Sequence, residues 1–150
     1  MHSQRMEQAA LSRTLTFPNE TSQLKAVRLF VADVVRQGSI PRSLENGILL
    51  AVDEAVTNII THAYKEGRRD MIEITLGIDP KRFTVVIRDS GTSFDPKSIL
   101  TPDVKDHLAN ARRHGLGIFL MRQVMDEVEY LFKEGVRNEL RMVKYLKPQG

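Results

Sequence analysis

The chain of 150 residues contains no cysteine. This absence excludes a disulfide framework and any zinc or iron–sulfur site built on thiolates, and it is typical of a reducing compartment. There is also no run of about 20 apolar residues, the length that a membrane-spanning helix requires, and the polar N-terminus lacks the apolar core of a signal peptide. We therefore expect a cytoplasmic protein that does not insert into a membrane.

The net charge is small, at +3 for the whole chain. The basic pairs Arg68-Arg69 and Arg112-Arg113 stand apart, and no surface motif of aromatic and basic residues accompanies them. The sequence therefore gives no support for direct binding of nucleic acid. Its length favours a single domain with its own core, which we expect over residues 12–147 after a flexible tail of residues 1–11.

Hydrophobic periodicity and turn residues predict both helices and strands. One long helix is predicted from about Leu24 to a stop at Gly38, and a second from Arg42 to about Tyr64. A third, short helix is predicted over residues 118–125. The predicted strands are a segment ending at Pro18 and residues 71–78, 83–87, 128–133 and 139–146.

Two polar side chains of the second long helix are the first candidate functional residues. Glu54 and Asn58 are four residues apart, so they lie one above the other, roughly opposite the apolar stripe of that helix. An amide oxygen is a suitable ligand for Mg²⁺, and a carboxylate can serve as a base in phosphoryl transfer. The alternative is that the pair belongs to the solvated face of a surface helix.

The second candidate segment is Asp89-Ser90-Gly91, at the predicted end of an apolar strand. The carboxylate can accept a hydrogen bond from the exocyclic amine of adenine, and a glycine lets a purine ring approach the backbone. Aspartate and glycine are also common turn residues, so ordinary turn chemistry explains this pattern equally well by itself.

The third candidate segment is Gly115-Leu116-Gly117, at the predicted start of the short helix. Backbone N–H groups at a helix N-terminus can bind phosphate oxygens, although the glycines could also serve only as a flexible entry. The sequence excludes a P-loop, because no Gly-x-x-x-x-Gly-Lys-Ser/Thr occurs, and it lacks the Rossmann fingerprint. Residues 92–114, which precede these glycines, keep no regular period, and a loop of that length is usually functional or disordered.

The order and spacing of the three segments resemble the ATPase superfamily of DNA gyrase, a heat-shock chaperone, histidine kinases and mismatch-repair ATPases. In detail the chain is similar to the bacterial anti-sigma-factor serine kinases, and the resemblance covers nearly its whole length. It implies an α/β sandwich of the Bergerat type, in which one mixed, mainly antiparallel sheet has helices on one face. Nucleotide would lie between the two layers, under a lid formed by residues 92–114. The segments that carry the resemblance are Glu54-Ala55-Val56-Thr57-Asn58, Asp89-Ser90-Gly91-Thr92-Ser93-Phe94-Asp95 and Gly115-Leu116-Gly117-Ile118.

The resemblance also implies roles for individual residues on the adenine and base sides of the site. Glu54 would be the general base for a protein serine hydroxyl, and Asn58 would be the Mg²⁺ ligand. Asp89 would read adenine, Gly91 would admit the purine, and Asp95 would support the same loop.

Further roles are implied for the phosphates and for the last strand. Gly115 and Gly117 would cradle phosphate groups, with Arg113 as a candidate for the γ-phosphate. Asn138 stands near the adenine where the family usually has threonine. There the chain departs from the family pattern, because it has Arg137-Asn138 in place of the usual Gly-Thr.

The implied function is that of an ATP- and Mg²⁺-dependent protein serine kinase that acts in transcription regulation. Its partners would be an anti-anti-sigma protein, which it phosphorylates, and a sigma factor, which it sequesters, and it would form a homodimer. An alternative from another class is a nucleotide-dependent binding switch with weak or no kinase activity. Retention of both Glu54 and Asn58 favours catalysis, because a switch needs no base. A third possibility is an interaction domain that binds no nucleotide, for which the departure at Arg137-Asn138 is the argument.

Overall fold

The structure is a computed structural model that describes residues 11–62, 69–91, 121–133 and 137–146. Within these ranges the chain forms two long helices and five strands, and residues 121–124 are helical. The helices are α1 (Leu24–Gln37) and α2 (Arg42–His62), and a 3₁₀ turn (Thr21–Gln23) leads into the first. The strands are β1 (Leu11–Pro18), β2 (Met71–Ile78), β3 (Arg82–Asp89), β4 (Glu127–Lys133) and β5 (Arg137–Tyr145).

The five strands form one sheet in the order β1-β2-β3-β5-β4. Each of the four pairings is antiparallel. β3 therefore lies at the centre of the sheet, with β2 on one side and β5 on the other. The register places Asp89, the last residue of β3, directly opposite Asn138 of β5.

One face of the sheet and one side of each helix form a common core. Alternate residues of β2 and β3 are buried, as expected for strands with one covered face. The buried residues of α1 recur at three- and four-residue spacing, which places them on one stripe of the helix. This arrangement confirms the predicted fold class, a mainly antiparallel sheet with helices on one face. Prominent members of the core are Phe17, Val31, Ile48, Val52, Ile74 and Val85.

The stop of α1 at Gly38 is confirmed, and this glycine does not adopt the left-handed conformation that often ends a helix. Gly38 has an ordinary right-handed conformation, with φ at −80°. A Cβ atom at this residue would lie 2.3 Å from Cδ1 of Ile78, so any other residue would require the Ile78 side chain of β2 to move. The left-handed residue that turns the chain is the next one, Ser39, with φ at 55°.

The predicted lid, residues 92–114, lies outside the described residues, as do residues 118–120 of the predicted short helix, whereas residues 121–124 of that helix are helical as predicted. The strand β1 begins at Leu11, which the prediction placed in the tail, and the proposed domain limits remain predictions. In the part of the chain that the structure describes, no helix is long and apolar enough to cross a membrane.

Candidate active site

Asp89 ends β3 with its side chain almost fully buried, at 3% exposure. A buried carboxylate needs hydrogen-bond donors, and two of them converge on its Oδ1 atom. The backbone N–H of Gly91 donates to Oδ1 over 2.9 Å, and the amide Nδ2 of Asn138 donates to it over 3.0 Å. Nδ2 of Asn138 also donates to the carbonyl oxygen of Gly91 over 2.9 Å. Asp89 and Gly91, predicted from one segment, and Asn138, predicted from another, therefore form one hydrogen-bonded unit, which we call the strand-end cluster.

At residue 138, where the resemblance implies threonine, asparagine has a structural role in this chain. Asn138 is buried and lies opposite Asp89 in the β3–β5 pairing. A carboxamide carries two N–H donors, so this side chain can bind both the Asp89 carboxylate and the Gly91 carbonyl. The asparagine thus connects the end of β3 to β5 through a side chain as well as through the backbone ladder.

A second set of hydrogen bonds supports the strand-end cluster from the side of β1 and β2. The Ser90 hydroxyl donates to Oδ2 of Asp70, just before β2. The backbone N–H of Asp70 donates to Oδ1 of Asn19 over 3.0 Å, and the N–H of Asn19 donates to the Asp70 carbonyl over 3.0 Å. Sequence reasoning missed Asn19 and Asp70, because polar residues beside turns give no signal of which distant segment they contact.

The second half of the site lies on α2, which contacts β3. Asn58 is buried there, at 4% exposure, and its Nδ2 atom has no hydrogen-bond partner among the described residues. This burial rules out the solvated helix face as an explanation for Asn58. The buried arc of α2 is wider than the apolar stripe because Ala51 and Ala55 are also buried, less than two turns before Asn58. Those two alanines were the sequence signal that the prediction overlooked.

The surroundings of Asn58 fit an Mg²⁺–phosphate group. A buried donor without a partner costs about 1–3 kcal/mol, and a phosphate oxygen would satisfy it. The carboxamide oxygen of the same side chain is a hard ligand of the kind that Mg²⁺ prefers. The described residues hold no group of three or more His, Cys, Asp or Glu side chains that could bind a metal ion by themselves. Mg²⁺ is usually held by one or two protein ligands together with substrate phosphates, so a single asparagine is an adequate contribution from α2.

Glu54, one turn before Asn58, has a pKa above its ordinary value. Partial burial is the main cause, because it penalises the charged form, and the negative charge of the adjacent Asp53 raises the pKa further. A raised pKa favours a carboxylate that must accept a proton near neutral pH. Asp53 itself is held by Arg28 of α1, through contacts that were not predicted from the sequence.

Pockets on the described part of the molecule differ in their relation to the predicted site residues. A polar pocket of about 250 Å³ adjoins the strand-end cluster, with Asp70, Arg88, Asp89 and Arg137 among its lining residues. A larger pocket of about 580 Å³ lies at the α1–α2 turn. None of the predicted site residues lines it, so we do not assign the active site to this pocket. It is lined by Val35, Arg36, Ile40, Arg42, Glu45 and Asn46.

Four predicted site residues cannot be placed relative to the two halves of the site. Asp95, Arg113, Gly115 and Gly117 lie outside the described residues. Their roles remain predictions that rest on the resemblance.

Comparison with known proteins identifies the family of the chain. The histidine kinase-like ATPase domain family matches residues 17–144. The serine-protein kinase RsbW of Staphylococcus epidermidis is 35% identical over 141 residues, which cover 90% of this chain and 87% of that protein. RsbW of Staphylococcus aureus strain MSSA476 is 36% identical over 138 residues, covering 88% of this chain and 85% of that protein.

Solved structures show the same fold at lower sequence identity. A chain of the SiaB–SiaC complex from Pseudomonas aeruginosa matches with a TM-score of 0.66 and 18% identity, over 95% of this chain and 94% of that one. The RsbU and RsbW domains of Rv1364c from Mycobacterium tuberculosis match with a TM-score of 0.62 and 14% identity, over 92% of this chain and 33% of that one. The chain therefore belongs to the histidine kinase-like ATPase domain family and, within it, to the serine-protein kinases represented by RsbW, which confirms the family and the enzyme class predicted from its sequence.

Proposed function

We propose that this protein transfers phosphate from ATP, with Mg²⁺, to a serine of an anti-anti-sigma protein, and that it also sequesters a sigma factor. The observation that carries the proposal is the α2 face, where Asn58 is buried one turn from Glu54 and its Nδ2 atom has no partner among the described residues. A binding domain without catalysis has no need for a partly buried carboxylate beside such a group. Membership in a kinase family makes phosphoryl transfer the reaction that suits this face.

Glu54 acts as the general base in the proposed reaction. The serine Oγ forms a bond to the γ-phosphorus of ATP while the bond from that phosphorus to the ADP oxygen breaks. The serine proton passes to the Glu54 carboxylate, and the products are phosphoserine and ADP. Mg²⁺, when bound, supplies charge neutralisation at the phosphates, and Asn58 would hold it through its carboxamide oxygen.

The strand-end cluster binds the adenine in this proposal. Asp89 accepts a hydrogen bond from the exocyclic amine, and Gly91 leaves room for the purine ring. Asn138 and the Gly91 N–H hold the Asp89 carboxylate in place before nucleotide arrives, so little ordering is required on binding. The resemblance adds Gly115, Gly117 and Arg113 at the phosphates and Asp95 in the loop after Gly91.

The partners are proposed from the family and from chemical logic. A sigma factor and an anti-anti-sigma protein would compete for the kinase, and phosphorylation of the second would release it and leave the sigma factor bound. The Pseudomonas structure that shares this fold is a complex between SiaB and SiaC, which supports the idea that this fold binds a protein partner. A homodimer in the cytoplasm completes the proposal.

A nucleotide-dependent binding switch remains the competing function. It would need the strand-end cluster for adenine but not the carboxylate of Glu54. The two functions therefore differ in what the loss of that carboxylate does.

Phosphotransfer to candidate antagonist proteins from the same genome, measured with labelled ATP and Mg²⁺, tests the proposal directly. We expect wild type to label one antagonist, and Glu54→Gln to lose about 10²- to 10⁴-fold in rate, the usual contribution of a general base, while still binding ATP. Glu45→Gln is the matched control, because Glu45 lies on the same helix in an ion pair with Arg36. Equal rates for wild type and Glu54→Gln would remove Glu54 from the mechanism and favour the switch.

A further inference from the structure

Arg28 and Asp53 form a two-point ion pair between the two helices. The Nε atom of Arg28 lies 2.6 Å from Oδ1 of Asp53, and its Nη2 atom lies 3.2 Å from Oδ2. A fork of two parallel contacts fixes the orientation of a carboxylate as well as its position. Arg28 therefore determines where the Asp53 side chain points.

Asp53 directly precedes Glu54, so two carboxylates leave α2 at neighbouring positions. Neighbouring residues on a helix point in directions about 100° apart. Because Arg28 holds Asp53 toward α1, Glu54 is the carboxylate of these two that is available to accept a proton in the proposed reaction. The charge of Asp53 nevertheless acts on Glu54, since it contributes to the raised pKa of that residue.

We propose that Arg28 is a positioning residue for the kinase reaction: it holds Asp53 against α1 and offsets the negative charge beside Glu54, so that Glu54 alone serves as the base. The inference rests on the proposed role of Glu54. Arg28 touches no reacting group and acts through Asp53.

A purely structural role is the competing explanation, in which the pair only fastens α1 to α2. The Arg28 side chain is 54% exposed, and exposed ion pairs contribute little to stability. A second ion pair joins the same two helices, between Nε of Arg36 and Oε1 of Glu45 at 3.5 Å. Glu45 is nine residues from Glu54, or about 13 Å along the helix. At physiological ionic strength, salt largely screens the interaction between exposed charges at this distance. Arg36→Gln is therefore a control that breaks a helix-to-helix pair without changing the field at Glu54.

The charges around Glu54 define what each variant changes. Among the described residues, Asp53 acts from its own helix, Arg28 faces Asp53 from α1, and β3 ends in the Asp89 carboxylate. Arg28→Gln leaves the Asp53 charge without its counterion, so Glu54 should take up its proton at higher pH. Asp53→Asn removes the negative charge and leaves Arg28 cationic, so Glu54 should take up its proton at lower pH.

The first measurement is the titration of the Glu54 side-chain carboxyl by NMR in the nucleotide-free protein. We expect the midpoint to rise in Arg28→Gln, to fall in Asp53→Asn and to lie between these two in the double variant. Arg36→Gln should titrate like wild type. An unchanged midpoint in Arg28→Gln, or an equal change in Arg36→Gln, would overturn the inference in favour of a structural role.

The second measurement is the pH dependence of phosphotransfer in the same variants. The acid limb of kcat should move to higher pH in Arg28→Gln, with KM for ATP unchanged, because each unit of pKa changes the ionised fraction of the base about tenfold on that limb. Arg28→Lys keeps the charge and should restore most of the wild-type profile. If the titration shifts while wild type transfers no phosphate to any antagonist, the proposed function fails and the electrostatic role of Arg28 stands. If wild type is active and its profile matches that of Arg28→Gln, the inference fails alone.

Discussion

The two halves of the site contain buried asparagines in opposite circumstances. Asn138, in the strand-end cluster, donates to both Asp89 and Gly91 and is part of a hydrogen-bonded unit. Asn58, on α2, is buried to the same degree but has an amide nitrogen without a partner among the described residues. The sheet side is therefore assembled before ligand arrives, whereas the helix side has an unmet group that a ligand can satisfy. In the proposed function, the adenine site is therefore complete in the folded protein, whereas the phosphate site is completed only by the ligand.

Removal of Asp89 should have the largest effect on nucleotide binding. Asp89→Ala takes away the proposed acceptor for adenine and the acceptor for Asn138 and Gly91. In wild type, ATP at about 100 times its dissociation constant should stabilise the folded protein by about 2.7 kcal/mol, and this gain should vanish in the variant. Thermal melting with and without ATP and Mg²⁺ measures this stabilisation, and the Tm of each protein with ATP is compared with its own Tm without nucleotide.

Asp79→Ala is the control for that experiment. Asp79 accepts hydrogen bonds from the backbone of Lys81 and Arg82 at the opposite end of β3. Its loss should lower Tm without ATP but leave the ATP-induced rise intact. A normal rise in Asp89→Ala would show that the strand-end cluster does not read the nucleotide.

The paired variants Asn138→Ala and Asn58→Ala test the contrast between the two halves directly. Without ligand, Asn138→Ala should be the less stable by at least about 1 kcal/mol, because it removes one of the two donors to the buried Asp89 carboxylate and the side-chain donor to the Gly91 carbonyl. Asn58→Ala removes a donor that has no partner among the described residues. For a chain of this size the difference corresponds to about 2–4 °C in Tm.

With ATP and Mg²⁺, the difference in stability between the two variants should change in favour of Asn138→Ala. Asn58→Ala should then lose much of the ligand-induced stabilisation, because its carboxamide is the proposed Mg²⁺ ligand. Urea unfolding of both variants, with and without ligand, gives the free energies. If the two variants lost equal amounts of unfolding free energy without ligand, the proposed difference between the two halves of the site would be wrong.

The smallest expected effect concerns the pH dependence of stability at Glu54. Its pKa is raised in the folded protein, so the folded state holds the proton more tightly than the unfolded chain does. The associated stability is complete below the ordinary pKa of 4.5 and is lost as the pH rises through the folded pKa. Glu54→Gln cannot ionise, so it should equal or slightly exceed wild type in stability at pH 8 and lose that advantage at pH 4. Denaturation curves across this range would contradict the prediction if the advantage appeared only at low pH.

Much of the fold could be predicted because local patterns determine it. The stop of α1 at Gly38 and the start of α2 at Arg42 agree with the structure, since helix periodicity and turn residues act over a few positions. The apolar residues of β2 and β3 likewise predicted both strands, and alternate residues of each strand are buried in the structure. The burial of Asn58 was not predicted, because burial on α2 depends on what packs against Ala51 and Ala55 as well as on the apolar stripe of the helix.

The sequence by itself determined the helices, the strands and the pairing of Glu54 with Asn58 on one side of α2, because each depends on neighbours within two turns or on strand alternation. Only the tertiary structure decided which distant groups meet. Asn138 lies 49 residues beyond Asp89 in the chain and reaches it through the β3–β5 register, and Arg28 lies 25 residues before Asp53 and reaches it across the α1–α2 contact. Such contacts depend on how whole elements pack, and packing is decided by the sum of many apolar contacts rather than by the residues that finally touch.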